Sequence, residues 1–111
     1  MPDLQRLQQE LIDAEAPFTV ETGTTASFFT TPEEPDIIPW MIDYVATYVP
    51  KASGANFVPH VTIGVASVAF VRKLVAEPFD AITFSPVGAS VYQLGNYGTA
   101  RKQLKLFPLT P

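Results

Sequence analysis

The sequence predicts an α+β fold, with an antiparallel or mixed sheet and two to three helices packed on one face. Three observations carry that reading. Two stretches before residue 50 repeat apolar side chains at helical spacing, short β-branched and aromatic runs lie between turn compositions, and the last third holds only such runs. With 111 residues, 47% of them hydrophobic, the chain has material for one core, so residues 1–111 are read as a single domain.

The elements follow in order. Leu4, Leu7, Leu11 and Ala14 recur at helical spacing behind Asp3, an N-cap residue type, which predicts a helix over 4–15 that Pro17 stops. Phe18 to Thr22 alternates apolar with polar and is rich in β-branched residues, a strand that extends past Gly23 to Phe29. Two prolines and two glutamates make Thr30 to Pro35 a surface loop. Asp36 then caps a helix whose stripe is Ile38, Met41, Ile42, Val45, Tyr48 and Val49, with Pro39 in its first turn, where a missing N–H costs nothing. Pro50 to Asn56 is a loop, and Phe57 to Val65 a buried strand. Ser67 caps a short helix running to about Ala76, which Glu77-Pro78 ends. Phe79 to Ser85, Ala89 to Leu94 and Thr99 to Phe107 are strands, separated by Pro86-Val87-Gly88 and by Gly95-Asn96-Tyr97-Gly98.

Composition excludes several functions. Seven Lys and Arg against eleven Asp and Glu leave a net charge of −4, which argues against an extended phosphate-backbone surface but leaves a local anion site open. There is no cysteine, so disulfides, thiolate nucleophiles and thiolate zinc sites are absent. His60 is the only histidine, so a mechanism needing two imidazoles cannot be completed within one chain. No apolar h-region follows the N-terminus, and the nearly apolar run Val61 to Val71 is broken by Thr62 and Ser67. Neither a signal peptide nor a membrane span is expected in these residues, and the compartment is left unassigned.

The chemistry concentrates in Pro59-His60-Val61-Thr62-Ile63-Gly64. On a strand, His60 and Thr62 share one face while Val61, Ile63 and Val65 share the other and pack under helices. An imidazole moves protons and a nearby hydroxyl bonds an oxygen of the same small group, the surroundings phosphoryl chemistry requires. By spacing alone, a half-buried strand histidine with a satisfied hydrogen bond is favoured over a catalytic one.

In its wider setting, Phe-Val-Pro-His-Val-Thr-Ile-Gly behind an amphipathic helix resembles the second motif of the 2H phosphoesterase superfamily, also called the 2′,5′ RNA ligase-like or cyclic phosphodiesterase family. Residues 4–107 resemble the C-terminal half of such a protein, and 84–100 is the most distinctive secondary match. The resemblance implies one half to two-thirds of a bilobal fold in which two His-x-Thr or His-x-Ser motifs face each other across a groove. One histidine then acts as base and the other as acid, the hydroxyls hold the phosphate, and neither metal nor cofactor takes part. His60 would be one acid/base and Thr62 one phosphate-binding hydroxyl, acting on cyclic or 2′,5′-linked phosphodiesters of small nucleotides or RNA ends. The departure is the missing first motif, which leaves the single chain weak or inactive unless a second copy or an N-terminal half supplies the other histidine.

Lesser candidates surround this pair. Arg101, Gln103 and Lys105 share one strand face, either lining the groove as a cationic strip or lying solvated on its outer side. Tyr92 and Tyr97 are placed to stack on a base or bond a phosphate, or to serve packing and turn roles. Trp40 reads as core or helix-edge packing, and the Glu33, Glu34 and Asp36 cluster as loop and cap residues. A second function stands beside the phosphoesterase: a noncatalytic module that keeps the fold and uses Thr62, Arg101 and Lys105 to hold a phosphate-bearing ligand. Removal of a first lobe would leave the edge of the strand over 18–29 open, which favours a symmetric dimer.

Overall fold

A computed structural model describes residues 2–108 as an α+β protein with a two-stranded antiparallel sheet. Its helices are α1 (Pro2–Glu15), α2 (Pro39–Ala46), α3 (Tyr48–Ala52) and α4 (Val68–Val75), and its strands are β1 (Gly88–Leu94) and β2 (Ala100–Pro108). Among the described residues no helix is long and apolar enough to cross a membrane.

Where local signals were strong, the elements form as expected. α1 begins at Pro2, so Asp3 sits in its first turn rather than at the cap; there its carboxylate complements the positive helix end and pairs with Arg6 at 3.3 Å. Ser67 caps α4, its hydroxyl accepting the Phe70 N–H at 3.3 Å. The second helix breaks at Thr47, giving α2 and α3 in place of one continuous stripe. Pro50 explains the break, since in an unbroken helix its ring would strike the Ala46 carbonyl; in the first turn of α3 its missing N–H costs nothing.

Three expected strands do not form. Residues 16–29 hold two 3-10 turns, Ala16–Phe18 and Thr25–Ser27, and are tied to the sheet by Phe29 N–H to the Leu94 carbonyl at 2.8 Å and by the Gln93 amide to the Ser27 carbonyl at 3.2 Å. Residues 57–65 and 79–85 belong to neither a ladder nor a helix. All three carry β-prone side chains, but a strand exists only when a neighbour takes up its N–H and C=O groups in a ladder, and among the described residues none does so for these segments. Val61, Ile63 and Val65 accordingly lie exposed, not under helices.

The hairpin turn is well specified. Tyr97 and Gly98 both have positive φ, 61° and 69°, the pattern of a type I′ turn that matches strand twist. Gly95 precedes it because a Cβ there would fall 2.8 Å from Arg101 Cγ. β2 skips a partner at Leu104 and at Arg101, so two bulges interrupt its alternation. The buried core is Phe28, Ile37 and Met41, with Ile42 and Leu94 packed against it, and it joins α2 and the loop before it to the hairpin.

Candidate functional site

An open groove of about 640 Å³ runs between α2–α3, the extended segment that carries His60, and the hairpin turn. His60 and Thr62 both line it. The two-residue spacing of an extended backbone therefore delivers the pair to one cavity even without a ladder to hold the segment. The His60 ring is oriented by its own backbone, for Nδ1 lies 2.8 Å from the Val58 carbonyl. A carbonyl only accepts, so Nδ1 is the donor in this contact.

The opposite wall is aromatic. Trp40, Tyr44, Tyr48 and Tyr97 line the groove. The Trp40 ring meets Tyr44 and Tyr97 edge-on, each at 6.3 Å between centroids, and Tyr44 meets Tyr48 at 5.8 Å. Trp40 thus packs at the helix edge, as expected, and also lines the groove. The available signal was the spacing of Trp40, Tyr44 and Tyr48 at four-residue intervals, which puts them along one helical face. Tyr97 stands in the left-handed region, where a residue with a Cβ is held at a cost of order 1 kcal/mol. That turn position would suit glycine or asparagine better, and what the tyrosine adds is a ring against Trp40.

The remaining candidates lie elsewhere. Arg101, at a bulge, sits over the Phe29 ring at 4.9 Å and reaches Glu34 at 4.0 Å. Lys105 lies over Phe107 at 5.7 Å, Gln103 donates to the Ser90 hydroxyl, and Tyr92 stands opposite Gln103 in the ladder. None of these four lines the groove. The expected cationic strip fails because the two bulges break the period-2 alternation that would have put Arg101, Gln103 and Lys105 on one face.

Asn96 is the residue the sequence reading missed. Only 7% exposed, it accepts the Ile38 N–H on Oδ1 at 2.8 Å and donates Nδ2 to the Glu34 carboxylate at 2.7 Å and the Asp36 carbonyl at 3.0 Å. It fixes the residue just before α2 from 58 residues away, while the side-chain cap expected of Asp36 does not form. Asparagine in a turn is ordinary sequence content, and nothing local marks it as the anchor of a distant segment. Asn96→Ala is expected to lower stability by about 2 kcal/mol, because the Ile38 N–H and the Asp36 carbonyl lose their partner. Denaturant midpoints check this, together with the loss of the Tyr97–Trp40 edge contact in near-UV circular dichroism.

Among the described residues no group of three or more His, Asp or Glu is arranged to hold a metal ion. No family model matches the chain, and neither a curated protein nor a solved structure matches it. The fold and the site define an α+β protein with an aromatic-walled groove holding one imidazole and one threonine hydroxyl.

Proposed function

We propose that the groove binds a nucleotide bearing a cyclic or 2′,5′-linked phosphodiester, as in a 2H phosphoesterase-like protein, and that the single chain does not turn it over efficiently. The observation that carries this reading is the meeting of His60 and Thr62 with the Trp40, Tyr44 and Tyr97 rings in one groove. Aromatic faces accept a base by stacking, worth about 1–3 kcal/mol per base. The imidazole and hydroxyl supply hydrogen bonds to phosphate oxygens. None of the described Lys or Arg side chains lines the groove, so affinity rests on stacking and these neutral or single-charge contacts.

A hydrolytic reading is favoured by one feature, the shared cavity of His60 and Thr62. It requires a second imidazole, which must come from outside this chain's single histidine.

The test is a titration with a 2′,3′-cyclic nucleotide, followed by the fluorescence of Trp40, the only tryptophan, and by the His60 imidazole resonances. Saturable quenching together with shifts of the His60 signals is expected. Thr62→Val is expected to weaken binding by about tenfold, the value of one hydrogen bond to a charged group. Undiminished binding by His60→Ala/Thr62→Val would overturn the assignment.

A further inference from the structure

Every residue from Val58 to Val87 is exposed, although the segment is among the most apolar in the chain. Its side chains include Val61 at 72%, Ile63 at 83% and Phe79 at 84% exposure, and the apolar residues Phe70, Val71 and Leu74 of α4 are exposed as well. Residues 58–66 and 78–87 make no backbone-to-backbone hydrogen bonds among the described residues. The sequence of 58–87 is that of strand, helix, strand, with apolar surface on all three and the ladder groups of the two extended stretches left open.

The whole chain shows the consequence. It exposes 9481 Å², against about 6,000 Å² for a compact monomer of this mass. Its radius of gyration is 16.1 Å, against about 13 Å for a compact domain of this length. The surplus surface is about 3,500 Å² per chain. Two copies each covering half of it would bury about that area in total, within the range of obligate dimers.

We infer that residues 58–87 form the interface with a second copy of this chain, with residues 60–66 pairing antiparallel with the same residues of that copy. Antiparallel self-pairing about a two-fold axis makes the patch its own complement. Charge permits it: Arg72 and Lys73 balance Glu77 and Asp80, so the segment is neutral while the chain as a whole carries −4. Two copies therefore repel least along this face. Residues 60–66 carry no Asp, Glu, Lys or Arg that would meet its like across the axis. Pro59, which cannot donate, stands at the end of the pairing stretch, where a strand tolerates it. His60 and Thr62 belong to both the pairing stretch and the groove, but pairing uses their backbone groups and the groove their side chains.

The experiment is sedimentation equilibrium of the full chain from low to high micromolar concentration, with amide hydrogen exchange at both ends of the range. The expected result is a species of twice the 12.1 kDa chain mass, with amides of residues 60–66 slowed at high concentration. Ile63→Lys, at a site fully open in the single chain, is expected to raise the dissociation constant by at least about 30-fold. A chain that stays at 12.1 kDa throughout, a polydisperse aggregate, or a dimer whose 60–66 amides exchange freely would each overturn the inference. The exchange measurement uses the unaltered chain, so it stands even if the variant fails to fold. Nucleotide binding is read separately, by Trp40 fluorescence, so its failure leaves this result intact.

Discussion

A demonstrated monomer is expected to hydrolyse 2′,3′-cyclic nucleotides with a kcat no higher than about 0.1 s⁻¹, or about 10²- to 10⁴-fold below a typical enzyme. In-line displacement at phosphorus needs one group to take a proton from the attacking oxygen and another to give one to the leaving oxygen. These lie on opposite sides of the phosphorus, so one imidazole cannot occupy both positions at once. His60 is the chain's only histidine, and the other groove side chains are apolar, phenolic, indole or hydroxyl groups. The deficit amounts to about 3 to 5.5 kcal/mol of transition-state stabilisation. Steady-state assays, run at concentrations where sedimentation shows the chain to be single, check the value. A rate of 1 s⁻¹ or more under those conditions would mean that one of the groove tyrosines or an outlying residue carries the second proton.

Met41→Ala is expected to lower the unfolding free energy by about 3 kcal/mol, within the range for large-to-small substitutions in a core. Among the described residues Met41 is the one fully buried large side chain, at 0% exposure, in a core whose other buried members are Phe28 and Ile37. Its methyl lies 3.5 Å from where a Cβ at Gly98 would stand, so it ties α2 directly to the hairpin turn. With so few buried apolar groups, no neighbour is free to collapse into the void. Met41→Leu, which conserves volume, is expected to cost less than about 1.5 kcal/mol. Urea midpoints at constant m-value separate the two. A Met41→Ala loss under 1 kcal/mol would show that stability resides elsewhere. Because Met41 also lines the groove, the alanine variant should reduce nucleotide binding through the position of Trp40 on the same helix.

What the sequence determined by itself is local. α1, α4 and the hairpin of β1 and β2 follow from apolar spacing, the Ser67 cap and the Gly95–Gly98 turn, whose causes all lie within a few residues of their effects. The adjacency of His60 and Thr62 was legible for the same reason, since a two-residue step along extended backbone needs no partner to bring both side chains to one side. Tertiary structure decided everything that depends on a distant neighbour. Residues 18–29, 57–65 and 79–85 have strand composition, yet among the described residues they form no ladder, because pairing is a property of two segments and the fold does not align any of these beside a partner. Bulges at Leu104 and Arg101 redirected the basic residues away from the groove, and alternation alone cannot reveal an inserted residue. Asn96 holds the Ile38 N–H just before α2, and Trp40 and Tyr97 form one wall, because the buried contacts of Met41 and Ile37 hold the hairpin turn against the helix; these are contacts between residues more than 50 positions apart. Short-range propensity thus chose the helices and the turn, and long-range burial chose which side chains share the groove.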